Sequence, residues 1–215
     1  MKNTSKTMKI VSILTVVFYA LVILIPLSIK GILAVSGYST GIIRLSSILM
    51  MICAVVLAAM VFMDKEPVRM IISVAACAVG AAGIAFNRVT FWDDSSYGFA
   101  QGSYYVLPFE VICSGYPLLA LMALAAYLGQ KTKKGKGFRA VCYVIAMFLL
   151  AGVIGNIYKM TCGAIYYYYN GFYWDRIYFD IALLVNSIAC VLWGWRRILQ
   201  NKTRADHKEK GGGTP

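Results

Sequence analysis

This chain of 215 residues is 60% hydrophobic and only 14% charged, with a mean hydropathy of +0.70. Soluble domains carry about 25% charged residues, so an ordinary soluble fold is excluded at the outset. The formal net charge of +12 sits mostly in links and tails around apolar stretches, where it marks how a chain threads a membrane and gives no sign of a nucleic-acid partner.

Six apolar stretches follow in order, at 10–35, 42–63, 68–86, 104–128, 138–158 and 177–199. Each is near the ~20 residues that cross ~30 Å of hydrocarbon as a helix. The runs are continuous, which predicts helices and not the ~10-residue alternating strands of a membrane barrel. The expected fold class is therefore all-α: a polytopic membrane protein built as a bundle of six transmembrane helices. One transmembrane domain is expected over 1–200. A disordered cytoplasmic tail is expected over 201–215, which ends Gly211-Gly212-Gly213-Thr214-Pro215.

The first stretch follows Lys2, Lys6 and Lys9, as a signal peptide would. Its apolar core, 10–29, is longer than the roughly 7–15 residues of such peptides, so it reads as an uncut helix, kinked near Pro26. The third stretch is rich in small residues: Ala75, Ala76, Ala78, Gly80, Ala81, Ala82, Gly83 and Ala85. Small residues let helix backbones approach closely in lipid, which predicts a central helix buried on most faces. A docking face for another membrane subunit is the sharper alternative. A faint internal repeat pairs 80–86 with 152–158, and Phe109-Glu110 with Phe179-Asp180. Internal duplication is common among transporters.

Orientation follows from the basic residues. Lys2, Lys6 and Lys9, then Lys65 and Arg69, then Lys131, Lys133, Lys134, Lys136 and Arg139, and finally Arg196, Arg197, Lys202, Arg204, Lys208 and Lys210 all fall on one side. Lys30, Arg44, Arg88, Lys159 and Arg176 fall on the other, with Asp93, Asp94, Glu110, Asp175 and Asp180. The positive-inside rule then places both termini in the cytoplasm of a multi-pass cell-membrane protein. The run from Lys131 to Arg139 also offers attraction to anionic lipid, beside its plainer role as an anchor.

Several chemistries are disfavoured. The only histidine is His207, in the tail, which argues against a histidine base, haem ligation or a His-rich zinc site. None of the six cysteines forms Cys-x-x-Cys, and most fall inside the stretches, where a thiol behaves as a small apolar group. There is no phosphate-cradling glycine motif. No cofactor, metal ligand or catalytic residue is assigned.

The outer face carries the candidate site. Phe91-Trp92-Asp93-Asp94 and the run from Tyr166 to Arg176 mix aromatic rings with acids. An interfacial aromatic belt accounts for the rings. It does not account for Glu110 and Asp180, which lie inside stretches where ionisable groups are costly. One reading pairs these acids with Arg88, Lys159 and Arg176 as structural ions. The other makes Trp92, Asp93, Glu110, Tyr173, Trp174, Asp175 and Asp180 an external ligand-binding pocket. Rings and carboxylates together suit a small cationic or aromatic ligand.

Six spans, both ends inside and ligand-sized outer loops resemble, in architecture, the substrate-binding component of an energy-coupling-factor vitamin transporter. The resemblance implies a small-molecule binding and transport subunit with no ATPase of its own, docked to other membrane subunits. Two alternatives stay open: a non-enzymatic accessory, immunity or permease-like subunit, and a membrane-embedded enzyme working through its carboxylates. The expected partners are the lipid bilayer, the small ligand and other membrane subunits.

Overall fold

The computed structural model describes residues 2–36, 41–63, 65–92, 109–131, 135–170 and 174–211. Among them every regular element is a helix. The long helices are α1 (Lys2–Ser36), α2 (Gly41–Met60), α3 (Glu66–Trp92), α4 (Tyr116–Lys131), α5 (Gly135–Asn170) and α6 (Trp174–Gly211). A short helical segment, 109–113, precedes α4.

Four helical segments are long and apolar enough to cross a membrane: Lys6–Ile25, Glu66–Ala85, Gly137–Thr161 and Phe179–Thr203. Ser47–Met60 and Tyr116–Gly129 are shorter apolar helices. The outer surface agrees with lipid contact. Ile71, Met147, Phe148, Ile154 and Tyr158 are each at least 60% exposed. Apolar exposure on this scale is foreign to a monomeric soluble surface.

Several helices outrun their apolar cores. At 1.5 Å per residue, α5 and α6 are about 54 and 57 Å long, well beyond the hydrocarbon thickness. The residues Tyr166 to Asn170, read as an outer loop, are the last turn of α5, and the link to α6 is only 171–173. Helix α6 likewise continues to Gly211, so much of the stretch read as a disordered tail is helical. Helix α1 runs through Pro26 without interruption.

Each long helix packs on its neighbours in the chain, and α6 closes the ring against α1. Arg196 Nε of α6 donates to Ser12 Oγ of α1 at 2.8 Å, and Tyr19 Oη lies 3.8 Å from Cys190 Sγ. Tyr19, Leu57, Tyr116, Leu119, Met122, Leu183 and Trp193 fill the core. Cys53, Cys77, Cys113, Cys142 and Cys190 are free and buried, packed as apolar groups.

The third helix is not the central one. Only 39% of its membrane segment is buried, against 61% for α6. Ala75, Ala78 and Ala82 are exposed, on the same stripe as Val68 and Ile71. Small residues permit a close approach without requiring one on every face. The close approach itself is real at Gly80. A Cβ there would lie 2.6 Å from the Tyr116 ring and 2.9 Å from Cys53 Sγ.

Gly80→Leu is therefore expected to lower the yield of folded protein sharply, since overpacking of this kind costs about 1–3 kcal/mol or more. Ile52 is 49% exposed, so Ile52→Leu should leave the yield unchanged. Size-exclusion profiles of the two variants check this, and equal monodisperse yields would contradict it.

Candidate functional site

The fourth apolar stretch is a broken helix. Ser114 N donates to Glu110 O at 2.8 Å and Gly115 N to Ile112 O at 3.1 Å, which closes the short segment. Gly115 then takes φ +85, a left-handed conformation that favours glycine. Helix α4 restarts at once, with Pro117 in its first turn, where a missing N–H is harmless.

A break strands carbonyl groups. Two are met by asparagines on neighbouring helices. Asn156 Nδ2 of α5 donates to Cys113 O at 2.8 Å, and Asn186 Nδ2 of α6 donates to Ser114 O at 2.9 Å. Both side chains are buried. Gly152 and Gly155 let α5 come close enough: a Cβ at 152 would sit 3.2 Å from Cys113 O, and one at 155 would sit 2.9 Å from Cys113 Sγ. Because the two Nδ2 groups are committed to carbonyls, each Oδ1 remains as a buried acceptor with no hydrogen-bond partner among the described residues.

A charged layer lies about one helical turn further along. Lys159 of α5 forms ion pairs with Glu110, in the short segment, and with Asp180 of α6, the latter at 2.5 Å. Glu110 is fully buried, Asp180 almost so, and Lys159 only 17% exposed. Lys159 is three residues beyond Asn156, and Glu110 is three before Cys113, so the ionic and amide layers stack along the same helices. Lys159 and Asp180 both fall within segments apolar enough to span a membrane.

The opposite end of the bundle holds a second cluster. Glu66, at the start of α3, receives Arg197 of α6 bidentately, at 3.0 and 2.8 Å. Arg69 also pairs with Glu66, and its other terminal nitrogen donates to Met63 O at 2.8 Å. The Arg197 guanidinium lies over the Trp193 ring, 5.3 Å from its centroid. These charges were read from the sequence only as threading signals. They also tie α3 to α6.

The structure thus brings together two of the seven candidate residues, Glu110 and Asp180, through a lysine that the sequence offered as one of three partners. Trp92 ends α3, and Trp174 and Asp175 begin α6, but their side chains lie outside the described residues. Asp93 and Tyr173 lie outside them altogether. The sequence reading missed the break and its asparagines. Ser114-Gly115-Tyr116-Pro117 is a helix stop and start signal inside an apolar run, and an asparagine within a span calls for a partner.

The chain matches no known protein-family profile, no curated protein and no solved structure.

Removing the shared cation leaves two carboxylates buried without it. Lys159→Met is expected to destabilise the protein by about 3–5 kcal/mol. Adding Glu110→Gln and Asp180→Asn to it should restore much of that loss. Unfolding in detergent reads both, and a Lys159→Met protein as stable as the parent would remove the ion pairs from the structural account.

Proposed function

We propose that the protein is a multi-pass cell-membrane subunit that binds a small molecule, for transport, at the end of the bundle where Glu110, Lys159 and Asp180 meet. The observation that carries this reading is a buried set of ionisable side chains beside a broken helix. Ionisable groups inside a span mark ligand or ion pathways by default, and discontinuous helices line such sites in transporters. The unpartnered Oδ1 atoms of Asn156 and Asn186 add acceptors one layer deeper.

The rest of the sequence pattern extends this reading. Six spans with both termini cytoplasmic put the Lys159 end outside and the Glu66 end inside. Trp92, Asp93, Tyr173, Trp174 and Asp175 then form the outer rim of the pocket, around a cationic or aromatic ligand. The energising step belongs to partner subunits, as the architecture of vitamin-transporter substrate components implies. The tail beyond 200 lies in the cytoplasm.

Topology is checked by reporter fusions. Fusions at Thr132 and at the C-terminus should report cytoplasm, and labels at Ser95 and Asn170 should react from outside. An external C-terminus would mean a miscounted span.

Ligand binding is checked by thermal stabilisation of purified protein with a panel of vitamins, amines and nucleosides. A stabilising compound should lose its effect in Asp175→Asn and Trp174→Ala while the basal melting temperature stays near that of the parent. Stability loss in these variants with no change in ligand response would leave the site purely structural and favour an accessory subunit.

A further inference from the structure

A cleft of about 420 Å³ opens between α5 and α6 at the Glu66 end of the bundle, away from the Glu110 site. Arg139, Tyr143, Cys142, Ile198, Asn201 and Lys202 line it. The two helices run in opposite directions, so Arg139 near the start of α5 meets Asn201 and Lys202 late in α6. Cys142 and Tyr143 lie one turn further into the bundle, and so does Ile198. The cleft therefore has a basic, polar rim over an apolar floor.

Its depth is set by the spans. In the sequence, the apolar run of α5 begins at 138, after Lys133, Lys134 and Lys136, and that of α6 ends at 199, before Lys202 and Arg204. The rim thus lies where both apolar runs give way to basic sequence, the place a headgroup layer would occupy. Below it, Tyr143, Met147, Leu150 and Ile154 form an exposed apolar stripe along α5.

The rim cations are uncommitted. Arg139 and Lys202 make no ion pair or hydrogen bond among the described residues. Their neighbours differ: Arg69 and Arg197 are held by Glu66, and Arg196 by Ser12. Glu66 is the acid at this end with a described side chain, and it is already engaged. Two cations on one concave surface, with no anion paired to them among the described residues, attract an external one.

We propose that this cleft is a site for the headgroup of an anionic phospholipid. The phosphodiester sits between Arg139 and Lys202. Asn201 and the Tyr143 hydroxyl face the glycerol hydroxyls of a headgroup such as that of phosphatidylglycerol. The acyl chains run down the exposed stripe of α5. A zwitterionic lipid fits worse, because its ammonium group would lie against the same two cations. Basic pockets between helices at the membrane surface recognise anionic lipids in this way. The site is independent of the ligand reading above.

Native mass spectrometry of the full chain in detergent tests the proposal, with phosphatidylglycerol and phosphatidylcholine offered at equal concentration. The parent protein should retain phosphatidylglycerol preferentially. Arg139→Gln with Lys202→Gln should weaken that retention about tenfold or more, each basic residue near a membrane surface contributing roughly equally. Ala140→Trp, which fills the cleft from its exposed side and keeps both charges, should weaken it as well. Lys131→Gln removes a basic residue at the same end that lies over Tyr127, outside the cleft, and should change nothing. Equal retention of the two lipids by the parent would overturn the proposal whatever the variants do. So would an equal loss in Lys131→Gln, which would make the effect general surface attraction. Inorganic phosphate should not compete at millimolar concentration, and full competition by it would reduce the site to one for a free anion.

Discussion

A carbonyl inside a membrane has to be met by a donor, because no water is there to meet it. Most of this chain satisfies that demand by staying helical. The break at Ser114 and Gly115 does not, and the arrangement around it follows from the repair. Asn156 and Asn186 come from different helices, so the repair fixes α5 and α6 against the broken element at one level. The glycines at 152 and 155 are needed because an amide reaches a carbonyl only if the backbones come close. A break of this kind works against stability by itself, since a continuous helix would need no partners. Its presence among buried residues, from Cys113 to Tyr116, is the strongest structural argument that the region does something besides fold.

Charge is arranged around the break with opposite composition at the two ends. At one end, two carboxylates share Lys159; at the other, Arg69 and Arg197 share Glu66. Both clusters are buried, and both include α6. Buried ion pairs seldom add much stability over apolar packing, but losing one partner is costly. They therefore act more as register marks than as glue. Helix α6 is held at two levels, through Asp180 at one end and Arg197 at the other. Helix α6 joins both clusters, and it is the most buried of the four long apolar segments, while α3 keeps an exposed alanine stripe.

The class of fold was legible because hydropathy is a bulk property: long apolar runs without alternation leave helices as the form expected. The ends of those helices were not. Tyr166 to Asn170 has the composition of an interfacial loop, yet it extends α5, because helical geometry outside the hydrocarbon is free to continue wherever no breaker stops it. The site was half legible. Glu110 and Asp180 stood out because a carboxylate within an apolar run is anomalous without knowledge of its neighbours. Their common partner did not, since choosing Lys159 over Arg88 or Arg176 depends on helix rotation. The asparagines were invisible for a related reason. Asn156 and Asn186 carry no charge and stand 30 residues apart, and only the break at Gly115 gives them a shared purpose.

A structural role for Glu110 and Asp180 and a role in ligand binding are not rivals. In the proposed site a cationic ligand meets two carboxylates that share one lysine, so a net negative charge remains to attract it even with Lys159 in place. A ligand cation that displaces Lys159 altogether loosens an ionic tie between the short segment before α4, α5 and α6. Binding and local rearrangement would then be one event, with the free energy of the lost ion pair set against that of the new contact. A neutral aromatic ligand makes no such demand and would leave the triad closed. The charge of the ligand thus decides whether this end of the bundle acts as a rigid receptor or as a moving part. In either case, the amide layer beneath it holds the broken helix in place.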